Sequence, residues 1–511
     1  MGTGTVEAEE TTALALAEKQ KLVKSLRRLD MIGFTVCALV GLDTLGTVAS
    51  NGAQGFTWLI VLALLFVVPY ALLMCEVGSA FRQEGGPYVW VKMAFGRRQA
   101  AIAAVLYWVT NPLWVGGSLA FTATAAWNDN LFNVGAGGSF GDYLFKFLFI
   151  WLSIGVAIVS LKRGKWIPNV GALMRVIVLG FFTITLIVYA IDHGLHGPPL
   201  TDLKPTTAVF FALVPLLLFN YVGFELQNGA AEEMDDPQRD VPIAVLRSGI
   251  IGVLLYAIPV FGIITVLPGE AITGIGGFID AVGTVFSVYG GAQSFLLGVM
   301  TVCFVGTLLT SGAVWMIGSD RIQAVSALDG GFPAYFGVFN RRFGTPVRVN
   351  VLSGVVSTLF MAAAVGLFDS GANATFVVVL TIAISTTLIS YLWVFPAAIK
   401  LRWSHPEVLR PYRFPGGSAG MIVGGVLVMF WTSLGAFTSV FPGVLERLFG
   451  VDYDFKGTWG VSQGKFEALT FGTLAIVLAI ALVGYAMGAS TRARRAEVPL
   501  PEIPPAPAGA G

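Results

Sequence analysis

Twelve apolar stretches, each long enough to cross the roughly 30 Å hydrocarbon layer of a bilayer as a helix, dominate this chain. They fall near residues 31–50, 57–81, 100–127, 143–161, 169–192, 206–229 and 244–267, and then near 293–317, 348–368, 374–399, 419–442 and 466–488. The composition agrees, because 55% hydrophobic against 12% charged residues is more apolar surface than a soluble domain can hide. The expectation is an all-α integral membrane domain of twelve transmembrane helices over residues 31–488. Residues 1–30 read as a polar tail with no apolar core and cleavage site of a secretory signal. Residues 489–511, rich in Pro, Ala and Gly, are expected to form a disordered tail.

The distribution of charge orients the spans. If the amino terminus is cytoplasmic, all but Lys146, Lys204, Arg447, Lys456 and Lys465 of the 31 basic residues fall on the cytoplasmic side, as the positive-inside rule requires. An odd number of spans would destroy that separation, so both termini are expected inside a cell membrane. A formal net charge of +1 gives no field that would attract nucleic acid. Cys37, Cys75 and Cys303 lie within apolar runs and read as packing residues rather than a disulfide framework. His193, His196 and His405 are too scattered for a ligand set, so no metal or cofactor is expected.

Two spans carry polar or helix-breaking residues where a bilayer helix should be simplest. Gly41, Asp43, Thr44 and Gly46 fall at mid-depth of the first, and Asn220, Tyr221, Gly223 and Glu225 interrupt the sixth. A carboxylate in hydrocarbon is expensive unless it faces a cavity or a partner, which makes Asp43 and Glu225 functional-site candidates. Glycine weakens a helix by about 1 kcal/mol relative to alanine. Matching interruptions in two halves point to an inverted repeat, about 31–192 and 206–399, with a binding site at the midplane. Close packing through small residues would explain the glycines alone, and Asp43 could instead cap an unwound turn. Between 268 and 292, Gly274, Gly276 and Gly277 precede an amphipathic stretch that reads either as a cap over an outer vestibule or as an ordinary surface loop. Glu232, Glu233, Asp235 and Asp236 read either as a charge cluster with Arg239 or as a solvated acidic loop.

Three motifs in order carry a family resemblance. Tyr221, Gly223, Phe224, Glu225, then Ala231, Glu232, Glu233, then Pro237, Arg239, Pro242 and Ala244 resemble the sixth helix and following loop of the amino acid, polyamine and organocation transporter superfamily. The stretch Glu76 to Gly96, with Gly85, Gly86, Tyr88, Phe95 and Gly96, is similar to its second helix and loop. Arg321, Asp329, Gly330, Pro333, Gly344, Thr345 and Pro346 are similar to the loop after its eighth helix.

The resemblance implies a five-plus-five inverted repeat with broken first and sixth helices, peripheral helices over about 419–488, and transport by alternating access. It implies an amino acid or amine substrate between the broken helices, where Gly41, Asp43, Thr44, Gly46, Tyr221 and Gly223 are the candidates to hold it; a coupling proton, if there is one, falls to Glu225 as a desolvated carboxylate. The superfamily's usual Gly-x-Gly in the first span is replaced here by Gly41-Leu42-Asp43-Thr44-Leu45-Gly46. An acid there would suit a second amine or a proton and would repel a side-chain carboxylate. Phe219 and Trp315 fall where relatives place cavity aromatics, against the alternative of simple packing. Asn111 and Trp114, around Pro112, are candidates for the cavity wall. Arg175 aligns with a fifth-helix lysine that stands in for a sodium ion, so it is expected either to bridge first-span carbonyls to Thr310 and Ser311 or to snorkel to the interface.

Rival classes fit less well. A channel needs a continuous polar lining, which scattered Asp43 and Glu225 do not supply. An enzyme needs a nucleophile and base or a metal set, and neither is expected. A non-transporting amino acid sensor would share every cavity residue but usually carries a signalling domain. The partners expected are a small-molecule substrate and the lipid bilayer, around a monomer or homodimer.

Overall fold

The long apolar stretches fold as helices, the local structure that satisfies its own backbone without water. The computed structural model describes Glu18, Lys24 and residues 26–159, 166–197, 200–206, 209–268, 277–367 and 372–493. Most of both tails lies outside these residues, as do Lys19, Lys21, Lys162, Arg163, Lys165, Gly274, Gly276, Arg494 and Arg495. The first half contains α1 (Arg28–Leu39), α2 (Leu45–Ser50), α3 (Gly52–Ala80), α4 (Gly86–Phe95), α5 (Arg97–Asn130), α6 (Phe140–Val159) and α7 (Trp166–His193). The second contains α8 (Phe210–Phe219), α9 (Pro237–Val266), α10 (Gly277–Val285), α11 (Gln293–Leu328), α12 (Val347–Leu367) and α13 (Ala372–Ser404). Then follow α14 (Gly417–Val440), α15 (Val444–Leu448), α16 (Phe455–Trp459) and α17 (Gln463–Met487). The C-terminal tail opens on a helical turn, Ala489–Ala493, where disorder was expected; Arg492 donates to the carbonyls of Tyr485 and Gly330 there.

Among the described residues, ten helices are long and apolar enough to cross a membrane, counting α10 and α11 as one run. The stretches at 31–50 and 206–229 do not form continuous helices. The first breaks after Leu39, where Val40 leaves helical geometry (φ −98°, ψ 88°), and resumes at α2. The second breaks after Phe219 and resumes as a 3₁₀ helix over Leu226–Glu233. Gly223 sits in this gap at φ +127°, a conformation that L side chains rarely adopt.

Each break survives in an apolar interior because side chains take up the backbone groups it frees. In the first, Trp315 Nε1 donates to the Ala38 carbonyl at 2.9 Å and Arg175 Nε to that of Val40 at 2.8 Å. The Tyr256 hydroxyl lies 3.2 Å and 3.1 Å from the Leu39 and Gly41 carbonyls and accepts from the Gly41 amide at 2.8 Å. In the second, the amides of Gly223 and Phe224 both donate to the Tyr70 hydroxyl oxygen, at 3.1 and 3.2 Å.

Around these breaks α1 packs on α7 and α9, α5 lies against α11, α12 and α13, and α14 and α17 pack outside them. Within α5, Pro112 has no N–H to donate, and a π-turn over Val115–Leu119 follows it. Trp114 and Ser118, four residues apart, share one face of this segment. The outer surface carries exposed Leu152, Ile184, Ile250, Leu254, Val426, Phe430, Ile476 and Val483, an apolar exterior suited to lipid.

Candidate functional site

Between the two breaks lies a narrow cavity lined by Ala38, Leu39, Gly41, Asp43 and Thr44 of the first, Phe219 and Asn220 of the second, Trp114, Tyr256 and Trp315. Asp43 is its buried acid. Oδ2 accepts from Trp114 Nε1 and from Ser118 Oγ, both at 2.9 Å, while Oδ1 has no hydrogen-bond partner within the protein. The Thr44 hydroxyl donates to the Gly41 carbonyl at 3.2 Å. Trp114 meets Phe219 and Trp315 edge to face, with centroids 5.8 and 6.4 Å apart. Neither side-chain atom of Asn220 has a partner, although the residue is buried.

Glu225 lies outside this lining, at the end of the second break. Its Oε1 accepts from Tyr107 at 2.7 Å and Tyr391 at 2.6 Å, and Oε2 accepts from Tyr70. The Tyr70 hydroxyl therefore ties the carboxylate to the two amides freed by the break, and uses its full capacity of one donor and two lone pairs. The Tyr107 ring also contacts Trp315, with centroids 6.3 Å apart, so the acid and the cavity share neighbours.

Arg175 is fully buried, and a fully buried guanidinium is not snorkelling to an interface. Beyond Val40, it donates to the carbonyls of Gly171 at 2.6 Å and Thr307 at 2.8 Å, to Thr310 Oγ1 at 3.2 Å and to Ser311 Oγ. One planar cation thus binds the first break to α7 and α11.

Packed groups lie on either side of the two breaks. On the side where α1 begins, Arg321 Nη1 lies 2.7 Å from Glu84 and 2.8 Å from Glu233. The Glu232 amide donates to Glu84 Oε2 at 3.1 Å, and the Leu26 amide to the Glu233 carbonyl at 3.0 Å. Burial pushes the Glu84 carboxyl up to about 8, with Glu233 and Glu232 adding to the rise and Arg321 opposing it. Glu233 of the acidic loop thus pairs with Arg321, while Glu232 accepts from the Glu84 amide and Asp236 from that of Arg239. On the opposite side α10 covers α2 so closely that a Cβ on Gly46 would come 2.5 Å from the Phe278 amide nitrogen.

Of the residues singled out in the sequence, Gly41, Asp43, Thr44, Trp114, Phe219 and Trp315 meet in the cavity lining. Gly223 lies under Trp315, where a Cβ would come 3.1 Å from the ring. Tyr221 turns away, donating to the Leu59 carbonyl at 3.0 Å, and Gly46 faces α10. Asn111 is buried without a side-chain partner and does not line the cavity. Tyr70, Tyr107, Tyr391, Tyr256, Ser118 and Asn220 also belong to the site. Of these, only Asn220 carried a local signal, as an amide in an apolar run. Among the described residues no His, Cys, Asp and Glu cluster could hold a metal ion.

The amino acid permease family matches residues 26–449. An uncharacterized transporter of Legionella pneumophila is 30% identical over 424 residues, covering 79% of this chain and 87% of its own. The "Probable agmatine/putrescine antiporter AguD" of Lactococcus lactis is 27% identical over 75% of this chain and 80% of its own. A glutamate/gamma-aminobutyrate antiporter of the same bacterium is 22% identical over 78% and 81%. In fold the chain is similar to a manganese transporter of Eremococcus coleocola, with a TM-score of 0.60 at 9% identity over 97% of this chain and 100% of that one. The match over most of its length places the chain in the amino acid permease family of the amino acid, polyamine and organocation superfamily.

Proposed function

We propose that this chain is a secondary active transporter that carries amino acids or amines across a cell membrane by alternating access, without covalent chemistry. The carrying observation is a cavity with a buried acid and four aromatic side chains between two broken helices, flanked on either side by packed groups. The two interrupted segments, added to the ten long helices, give twelve crossings in a five-plus-five inverted repeat with both termini cytoplasmic. The half-helices tilt about their breaks, so that the Arg321 closure and the α10 closure open in turn.

Glu225 is assigned the coupling proton, because it is a buried acid tied through Tyr70 to the backbone of the second break. Arg175 is a fixed positive charge where a coupling cation would otherwise bridge the first break to α11, and arginine does not deprotonate. Two antiporters among the relatives, one named for agmatine and putrescine and one for glutamate and gamma-aminobutyrate, support exchange as the alternative to symport.

Uptake of a labelled amino acid and amine panel into proteoliposomes tests this reading, with and without an inward pH gradient and preloaded substrate. Concentrative uptake under the gradient identifies symport, and stimulation only by preloading identifies exchange. Binding without flux for every compound would contradict transport and favour a sensor.

A further inference from the structure

We infer that Asp320 is a second proton-binding site: a buried carboxyl, outside the cavity lining, that keeps its proton and donates it to Asn350 where α5, α11 and α12 meet. The inference stands independently of the transport reading above.

Asp320, on α11, has no exposed surface. An ionised carboxylate so placed is costly unless a cation meets it, and among the described residues no ion pair reaches this one. The cations of the surrounding elements are committed elsewhere. Arg321, next in sequence, bonds to Glu84, Glu233 and the Gly344 carbonyl. Arg348 of α12 goes to the Tyr335 carbonyl, Lys92 of α4 and Arg97 of α5 to Asp329, and Lys146 of α6 to Asp142. Arg175 of α7 is spent at the first break and on α11 residues nearer the start of that helix.

The order of hydrogen bonds around the carboxyl fixes where a proton can sit. Trp108 Nε1, which can only donate, gives its hydrogen to Ser353 Oγ at 2.8 Å. The Ser353 hydroxyl therefore turns its own hydrogen to Asp320 Oδ1, 2.7 Å away, and makes that oxygen an acceptor. Oδ2 is left, and it faces the Asn350 amide nitrogen at 2.5 Å. That separation is short for N–H···O, about 2.7–3.2 Å, and within the range of O–H···O, about 2.5–3.0 Å. The two ends of a side-chain amide have nearly the same shape and are told apart by what they bond. Asn350 Oδ1 has no partner, so turning the amide over breaks no other bond and sets its oxygen against Oδ2. Only a protonated Oδ2 fills that contact.

Glu225 is arranged differently. Three tyrosine hydroxyls donate to it, and hydrogen bonds to a carboxylate favour its charged form. Asp320 has Ser353 as its one obligate donor. The two acids hang on consecutive residues of α5, with Tyr107 bonding to Glu225 and Trp108 reaching Asp320 through Ser353. One is equipped to release a proton and the other to keep it, the division of roles that contrasting environments give to paired acids.

Infrared spectroscopy of the full chain in nanodiscs at neutral pH tests the inference, because a protonated carboxyl gives a carbonyl band above the amide region. Asp320→Asn keeps the shape of the neutral acid, and the wild-type spectrum minus that of this variant should contain one such band. The band should persist in Glu225→Gln, and Asn350→Ala, which removes the acceptor, should move it to higher frequency. No band in the difference spectrum would show an ionised carboxylate and overturn the inference. Loss of the band in Glu225→Gln would give the proton to Glu225 and overturn it equally, as would a band unmoved in Asn350→Ala. Should Asp320→Asn fail to fold, the shift between wild type and Asn350→Ala decides the matter alone.

Discussion

Asp43 and Glu225 are legible from sequence because a carboxylate inside an apolar run has no ordinary reason to be there. The groups that hold them are not. Tyr70, Tyr107 and Tyr391 stand 155, 118 and 166 residues from Glu225, and a tyrosine in an apolar helix is common enough to carry no signal. Their arrangement nonetheless ranks them. Tyr70→Phe removes a donor from Glu225 and leaves two backbone amides without their acceptor, each buried loss costing about 1–3 kcal/mol. Tyr107→Phe removes one donor alone. Thermal unfolding in nanodiscs should therefore show a larger fall in midpoint for Tyr70→Phe, and equal falls would contradict the bridging role of its hydroxyl. Glu225→Gln should fold, because a side-chain amide can still bond to the tyrosines, yet uptake should lose its response to a pH gradient. A variant still driven by the gradient would remove Glu225 from the coupling step.

The two breaks were legible at the scale of elements through Gly41, Asp43, Gly223 and Glu225, since polar and flexible residues in mid-span forecast an unwound turn. Their exact bounds were not, because these depend on distant side chains such as Trp315, Tyr256 and Tyr70 that absorb the freed backbone groups. The same limit applies to the acidic loop: Arg239 is near in sequence, but Arg321 at the far end of α11 reaches Glu84 and Glu233. The stretch containing α10 reads from sequence either as a cap or as a surface loop, and its contact with Gly46 gives the cap reading a measurable consequence. Gly46→Ala places a Cβ against the backbone of Gly277 and Phe278, too close for either to yield cheaply. A cysteine at Thr44 should then react faster with an impermeant thiol reagent added on the α10 side, and an unchanged rate would show that this contact does not hold the closure. Gly223→Ala should destabilise the second break by about 1–3 kcal/mol, because φ there is +127°. Chemical denaturation of the variant in detergent checks this, with no loss as the contrary result.

The all-helical fold, its many long apolar helices and the family were legible for the whole molecule because they rest on length, hydropathy and local motifs. The pairing of opposite closures was not, since each joins residues far apart in the chain. The closure on Arg321 should depend on pH. The Glu84 carboxyl is raised to about 8 in the folded protein, so the folded state retains a proton that the unfolded chain releases near the ordinary carboxylate range. The stabilising contribution is full below that range and is lost as pH rises through about 8. Unfolding midpoints measured from about pH 5 to about pH 9 should fall, and Glu84→Gln should flatten the fall; an equal slope in the variant would assign it to other groups.

Side-specific accessibility of the cavity tests alternating access most directly. Thr44 lines the cavity, so a Thr44→Cys chain with Cys37, Cys75 and Cys303 replaced by alanine can be reconstituted and treated with an impermeant thiol reagent on either face of the membrane. Alternating access requires reaction from both faces, with a transported solute raising one rate while lowering the other. Reaction from one face alone, unmoved by any solute that is bound, would contradict it.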